Sequence, residues 1–349
     1  MLKGGGVFGV LVLVVPGCRG ADEVPEVGRV VEARDVSADA ERVEERETAR
    51  PLPAVLENGA RAAPICSPFV VSGDLTVIAT QNYAIRRYDG PQRWSLIAPT
   101  RGEPCGLLVD RGRVYWTEAG WKSGGHGRVM SALPDGTDVV EVATGQDGAT
   151  AIVAGERGLY WFECGTGILW RAPWRGPVEQ AARVEPDRSR YTHTCPDRGT
   201  VSVDGMIVWA HSVDDRIRLS YAMEDGSGSR EIAAFDYPHT ARHELAVLDG
   251  VAYLHLFRAP QEPSEDDHAI VKVRISDGRT DVLWNDGPHL IGAHRGQILW
   301  ADFEGTVYTE HQGHPRRIGT LPRQALRSFT PHDDGIIWND GHQLHHTNW

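Results

Sequence analysis

Gly112-Arg-Val-Tyr-Trp116, Gly158-Leu-Tyr-Trp161, Gly205-Met-Ile-Val-Trp209, Gly296-Gln-Ile-Leu-Trp300 and Gly335-Ile-Ile-Trp338 are five copies of one pattern, a glycine followed by an apolar run that ends in tryptophan. Gly73-Asp-Leu-Thr-Val-Ile78 and Gly250-Val-Ala-Tyr-Leu254 repeat it without the tryptophan. The seven glycines are spaced 39, 46, 47, 45, 46 and 39 residues apart. Short runs rich in β-branched and aromatic residues, opened by a turn residue, read as strands. A unit of about 45 residues holds four of them and needs neighbours to bury the faces of its sheet. The expected fold is therefore all-β, a β-propeller of seven four-stranded blades, with six blades as the alternative.

The rest of each unit fits this plan. A first apolar strand precedes the glycine, as in Gly106-Leu-Leu-Val-Asp110, Ala149-Thr-Ala-Ile-Val153, Thr200-Val-Ser-Val203 and Glu244-Leu-Ala-Val-Leu248. Asp204-Gly205, Asp249-Gly250 and Asp334-Gly335 are the residue pairs that tight hairpin turns require. A second set of glycine turns, at Gly90, Gly136, Gly176, Gly226, Gly278 and Gly313, separates a third strand from a fourth. The seventh unit runs out after its third strand, and an open edge is a liability. Residues 54–63 are expected to supply the missing strand, closing the ring at the N-terminal side of the domain. The tryptophans at 116, 161, 209, 300 and 338, one per blade at one register, are expected in the core. The acids that follow them, Glu118, Glu163, Asp302 and Asp340, are expected to hold adjacent loops.

Tyr115-Trp116-Thr117-Glu118, with the weaker Tyr160-Trp161-Phe162-Glu163, Leu299-Trp300-Ala301-Asp302 and Ile337-Trp338-Asn339-Asp340, resembles the repeat of YWTD-type propellers and their TolB-like relatives. The resemblance implies blades over residues 64–349 and is almost silent about activity. The last motif position departs from Asp in two copies, and seven units exceed the usual six. The Gly-His and Trp-Asp pair typical of WD40 repeats is absent.

The N-terminus has a different character. Lys3 and the apolar run Val7–Val15 read as an export signal too short to span a bilayer. Val15-Pro16-Gly17-Cys18 resembles the lipobox of bacterial lipoproteins, which implies acylation of Cys18. Arg19 after it implies an outer-membrane destination, facing the periplasm or the cell surface. From Asp22 to Arg50 there are ten acidic and five basic residues and no aromatics, a composition that cannot bury enough surface to order itself. The expected organisation is a signal peptide over 1–18, a disordered acidic tether over 19–50 and the propeller over 51–349.

The charge of -12 argues against nucleic acid, and only three of 36 basic residues are lysines, Lys3, Lys122 and Lys272. With Cys18 assigned to lipid, Cys66, Cys105, Cys164 and Cys195 form an even set in an exported chain. Of three connectivities, Cys66–Cys105 with Cys164–Cys195 is preferred, because these pairs fall at neighbouring strand ends. Fifteen histidines are present, but His345 and His346 alternate across a strand and His239 and His243 lack a third ligand. No metal and no cofactor are expected.

In a four-stranded meander the two glycine turns lie at one end and the variable connections at the other. Ala119–Gly127, Arg183–Arg198 and Phe257–His268 are the long ones. Variable loops on a rigid frame carry binding residues. Trp121, Glu118, Glu163, His211, Tyr191 and His193 are the candidates. Two functions remain open: a monomeric, envelope-tethered scaffold that binds a protein, peptide or glycan, and a propeller lyase or hydrolase using histidine and acids on the same face. Streptogramin lyases are an analogy for the second at the level of fold. A histidine within hydrogen-bond reach of an acid, around a concave pocket at the axis, would favour the enzyme, and a flat loop face would favour binding.

Overall fold

The computed structural model describes residues 69–72, 75–80, 83–90, 93–120, 127–146, 148–163, 166–183, 199–213, 216–236, 242–257, 268–285, 288–322, 329–332, 335–339 and 344–348. Within these the chain is all-β, and seven antiparallel meanders follow one another along it.

Sheet one holds β1 (Phe69–Ser72), β2 (Leu75–Thr80), β3 (Ala84–Gly90) and β4 (Arg93–Pro99). Sheet two holds β5 (Glu103–Asp110), β6 (Arg113–Ala119), β7 (Gly127–Ala132) and β8 (Val140–Gln146). Sheet three holds β9 (Ala149–Ala154), β10 (Gly158–Glu163), β11 (Ile168–Pro173) and β12 (Glu179–Arg183). Sheet four holds β13 (Thr200–Val203), β14 (Met206–Val213), β15 (Arg216–Met223) and β16 (Ser229–Asp236). Sheet five holds β17 (Arg242–Leu248), β18 (Val251–Phe257), β19 (His268–Arg274) and β20 (Thr280–Trp284). Sheet six holds β21 (Pro288–His294), β22 (Gln297–Asp302), β23 (Thr306–His311) and β24 (His314–Thr320). Sheet seven holds β25 (Phe329–His332), β26 (Gly335–Asn339) and β27 (Leu344–Asn348), three strands among the described residues.

The first strands touch in order. β1 packs on β5, β5 on β9, β9 on β13, β13 on β17, β17 on β21, β21 on β25, and β25 meets β1. Between consecutive sheets lie separate apolar layers. Leu245, Val247, Leu254 and Val273 of sheet five pack with Val208 and Leu219 of sheet four. On its other face Ala246, Tyr253 and Ile270 pack with Ile298 and Trp300 of sheet six. Alternation along each strand thus gives every sheet two buried faces. All five pattern tryptophans are core: Trp116, Trp161 and Trp300 are fully buried, and Trp209 and Trp338 nearly so.

Turn chemistry sets the registers. Arg111-Gly112, Asp204-Gly205, Asp249-Gly250 and Arg295-Gly296 each have positive φ at both residues, as type I′ hairpins demand. In the first six sheets the pairing of third with fourth strand slips by one residue, for example between Leu219 and Ser220 and between Ile270 and Val271. Such bulges increase the local twist. The slip recurs between third and fourth strands, so these six sheets each depart from flatness at that pair.

The long connections fall where strand lengths place them, between β6 and β7, between β12 and β13, and between β18 and β19. Residues 54–63 lie outside the described residues.

Candidate functional site

The two ends of the sheets differ in what their polar side chains do. At the end carrying the glycine turns, neighbouring sheets are latched together. Tyr160 on β10 and Arg171 on β11 are cross-strand partners. The Tyr160 hydroxyl donates to the main-chain carbonyl of Glu224, just beyond β15 in sheet four, at 3.0 Å, and Arg171 Nη1 donates to the same oxygen. The Glu224 carboxylate accepts from the N–H groups of Glu156 (3.2 Å) and Arg157 (2.9 Å) and from the Ser202 hydroxyl (3.1 Å). Gly155 makes room for it, since a Cβ there would lie 2.2 Å from Glu224 Oε1. The same idea recurs two sheets on. Tyr253 and Lys272 are cross-strand partners in sheet five. They donate to the two carboxylate oxygens of Glu310 on β23, at 2.8 and 2.9 Å. Burial pushes the Tyr160 hydroxyl up to about 12, and burial together with the Glu310 carboxylate pushes Tyr253 up as well.

At the loop end the expected acids serve as braces. Glu118, 2% exposed, accepts from the Arg101 and Gly102 N–H groups and from Trp116 Nε1, and pairs with Arg128 at 2.6 Å. Glu163 accepts from the Thr166 hydroxyl at 2.7 Å and from Trp170 Nε1 at 2.9 Å. Asp302 accepts from Thr306 N–H and from the Tyr308 hydroxyl. His211 is buried on β14 opposite Arg218. So three of the six sequence candidates, Glu118, Glu163 and His211, sit in the sheets rather than on the surface. Trp121, Tyr191, His193 and Asp340 lie outside the described residues, as do Cys18, Cys66, Cys164 and Cys195. Cys105 is buried in β5 and disulfide-bonded.

A constellation that sequence reasoning missed lies at the loop end of sheet five. Glu244 on β17 stands directly opposite His255 on β18. Glu244 Oε2 is 3.3 Å from His255 Nδ1, and His255 Nε2 is 3.3 Å from His268 Nδ1 on β19. His255 is fully buried, and Glu244 and His268 are each 6% exposed. The Phe303 ring packs at right angles to His268, 4.8 Å between centroids. A signal for the first contact is in the sequence: counting outward from the two-residue turn Asp249-Gly250, the fifth cross-strand pair is Glu244 with His255. His268 follows the ten-residue stretch 258–267, whose length hides the register. The three groups form a line, not a cage. Among the described residues no three His, Cys, Asp or Glu side chains converge as metal ligands. What the line can do is hold and pass a proton.

No family model and no curated protein matches this sequence. Solved structures do resemble it. The WD40 β-propeller domain of Doa1 superposes with a TM-score of 0.54 at 15% identity, covering 85% of this chain and 95% of that one. The computationally designed protein Ika8 gives 0.54 at 10% identity over 86% of this chain and all of that one. A chain of a nidogen/laminin complex gives 0.46 at 14% identity over 70% and 92%. At these identities the likeness is one of fold. The propeller architecture is shared with a WD40 domain although the Gly-His and Trp-Asp signature is missing from this chain. Blades therefore rest here on the glycine-strand-tryptophan unit. Among the described residues no helix is long and apolar enough to cross a membrane.

Proposed function

We propose that this chain is an envelope-tethered β-propeller lipoprotein that binds a protein, peptide or glycan through the loop end of its sheets. The observation that carries it is the division of labour between the two ends: short turns and inter-sheet latches lie at one, and the strand ends joined by the connections 120–126, 184–199 and 258–267 lie at the other. A rigid frame with its irregular segments gathered at one end suits recognition. In this reading Cys18 is the lipid anchor, the acidic segment 19–50 is a tether that sets the distance from an outer membrane, and the domain is a monomer. Cys66–Cys105 and Cys164–Cys195 are the proposed disulfides. Trp121, Tyr191 and His193 are the proposed contact residues.

The reading includes a closed ring. Among the described residues sheet seven has three strands, and β25 already touches β1. In the other sheets, two to sixteen residues lead from a fourth strand to the next first strand. Placing residues 54–63 on the outer edge of β27 leaves 64–68 for that crossing. It must span three strand spacings, about 14 Å. Five extended residues reach about 17 Å. A chain starting at residue 51 should keep a cooperative melt and one starting at 64 should lose it; equal melts would remove the closure.

The binding reading is tested by affinity capture from envelope extracts with identification of the captured species, using the full chain and a variant with 120–126 replaced by a two-residue turn. Equal capture by both would count against it. A second reading, a propeller lyase or hydrolase, is favoured by one observation, the contact between Glu244 and His255. Turnover abolished by His255→Gln in a folded chain would establish it.

A further inference from the structure

We infer that Arg86, Tyr88 and Trp94 on the outer half of sheet one form a seat for a carboxylate, and that its occupant is Glu57, carried in by the strand that closes the ring. The inference rests on the closed-ring reading and adds the residue that fixes the register of that strand.

Alternation sorts β3 into two faces. Ile85 packs with sheet two, and Arg87 Nη1 donates to the Pro134 carbonyl there. Arg86 and Tyr88 therefore belong to the opposite face, turned toward sheet seven, whose β25 meets β1. Trp94 on β4 is the cross-strand partner of Tyr88, with ring centroids 5.1 Å apart. Three polar groups thus share one face: Arg86 Nε–H, the Tyr88 hydroxyl and Trp94 Nε1–H. Each is screened from water, and none has a hydrogen-bond partner among the described residues. Asp89, next along the chain, is taken by Arg87 and Ser95. A buried donor without an acceptor carries its full desolvation penalty, and a charged one more. Guanidinium and indole only donate, and burial pushes the Tyr88 hydroxyl up, so it keeps its proton. The group that satisfies such a face is an anion accepting several hydrogen bonds, which a carboxylate does.

The latch between sheets three and four identifies the side from which the acid comes. There Tyr160 and Arg171 meet Glu224, two residues before Gly226. Tyr88 stands two residues before Gly90, so sheet one presents donors where sheet four presents its acid. The acid then belongs to sheet seven. Its strands β25, β26 and β27 contain no Asp or Glu. The segment 54–63 contains one, Glu57. Chain direction brings it to the right height. A third strand runs toward the turn end, so an antiparallel fourth strand starts at the turn end and runs back to the loop end. Glu57 is near the start of its segment and falls in the turn half. Tyr88 and Trp94 flank the Gly90 turn at that same end, and Arg86 is two residues further in. Sheet three shows the arrangement in place: Glu179, the first residue of its fourth strand, accepts from Arg171 Nε at 2.9 Å.

The test is trypsin digestion of the full-length chain read by mass spectrometry, with Glu57→Gln, Arg86→Gln and the double variant beside it. In the parent, cleavage after Arg61 should be far slower than cleavage after Arg42, which precedes the strand. Glu57→Gln and Arg86→Gln should each speed the Arg61 cut about tenfold, and the double variant should be no faster than the faster single one. Tyr88→Phe, paired with Glu57→Gln in the same way, replaces Arg86→Gln if that variant misfolds. A protected Arg61 with single effects that multiply, or with no effect of Glu57→Gln, would overturn the seat and keep the closing strand. Cleavage of the parent as fast after Arg61 as after Arg42 would remove the closed ring and the seat together. Protection that grows with protein concentration would put a second copy on this face and overturn Glu57 of the same chain as the occupant.

Discussion

At the turn end of the sheets two acids, Glu224 and Glu310, each join one sheet to its neighbour through a tyrosine and a cation of that neighbour; at the loop end the polar groups differ from sheet to sheet. Tyr160, Arg171 and Glu224 join sheets three and four, and Tyr253, Lys272 and Glu310 join sheets five and six by the same logic. The loop end of sheet two is braced by Glu118, that of sheet three by Glu163, and that of sheet five carries Glu244, His255 and His268. The difference teaches where selection for packing ends. A hydrogen bond that ties two sheets together serves the frame wherever it recurs. The Glu244, His255 and His268 line runs within one sheet and meets the next through the Phe303 ring.

If the turn end is a latch, its largest failure should come from Glu224→Ala. The change strips three donors, Glu156 N–H, Arg157 N–H and the Ser202 hydroxyl, of a charged acceptor. Hydrogen bonds to charged groups contribute about 1.5–3 kcal/mol each, with partial replacement by water, so a loss of about 3 kcal/mol is expected in urea unfolding. Gly155→Ala should act through the same carboxylate, because its new Cβ occupies the space Glu224 Oε1 needs. The double variant should then cost little more than the worse single one. Simple additivity would show that Gly155 and Glu224 are not one device.

The loop-end brace gives the next effect. Glu118→Gln keeps the volume but removes the charge facing Arg128, whose remaining carboxylate, Glu141, is 3.6 Å away. About 2 kcal/mol should be lost, since the main-chain donors of Arg101 and Gly102 can still reach an amide oxygen. A variant with unchanged stability and altered ligand capture would instead return Glu118 to the binding surface. Tyr253→Phe, which removes one hydroxyl from a latch whose Lys272–Glu310 pair survives, should cost about 1 kcal/mol.

Legibility follows the same division. The glycine spacing carried the number of sheets and the strands, because a propeller repeats one local solution and each copy is written in the sequence. The pattern tryptophans were readable as core for the same reason. The latches were not, since Glu224 and Glu310 act across sheets 64 and 57 residues from Tyr160 and Tyr253. The Glu244–His255–His268 line was half legible: the Asp249-Gly250 turn fixes Glu244 against His255, while the register of His268 passes through a long connection. Glu118 and Glu163 were read both as loop holders and as surface candidates. Both are buried and hydrogen-bonded as braces, and exposure is the quantity that a single sequence reports least well.

The smallest expected effect separates the ends by acidity. Turns between third and fourth strands carry Asp135, Asp225 and Asp277, whose carboxylates accept from residues two positions on. The Thr137 hydroxyl and N–H hold Asp135 below its usual value of 3.8, Ser227 does the same for Asp225, and the Arg279 N–H, helped by the Arg274 guanidinium, for Asp277. Asp89 follows suit, with burial outweighed by the Ser95 hydroxyl and Arg87. A carboxyl whose folded value is depressed gives stability that is fully present above its unfolded value. That stability is lost as pH falls through the folded value, so the window lies below about pH 4. Replacing Asp135, Asp225 and Asp277 together by Asn should flatten the acid limb of the stability curve there and leave neutral stability nearly unchanged, because Asn makes the same turn. A triple Asn variant whose acid limb matches the parent would show that these turns do not carry the acid sensitivity of that end.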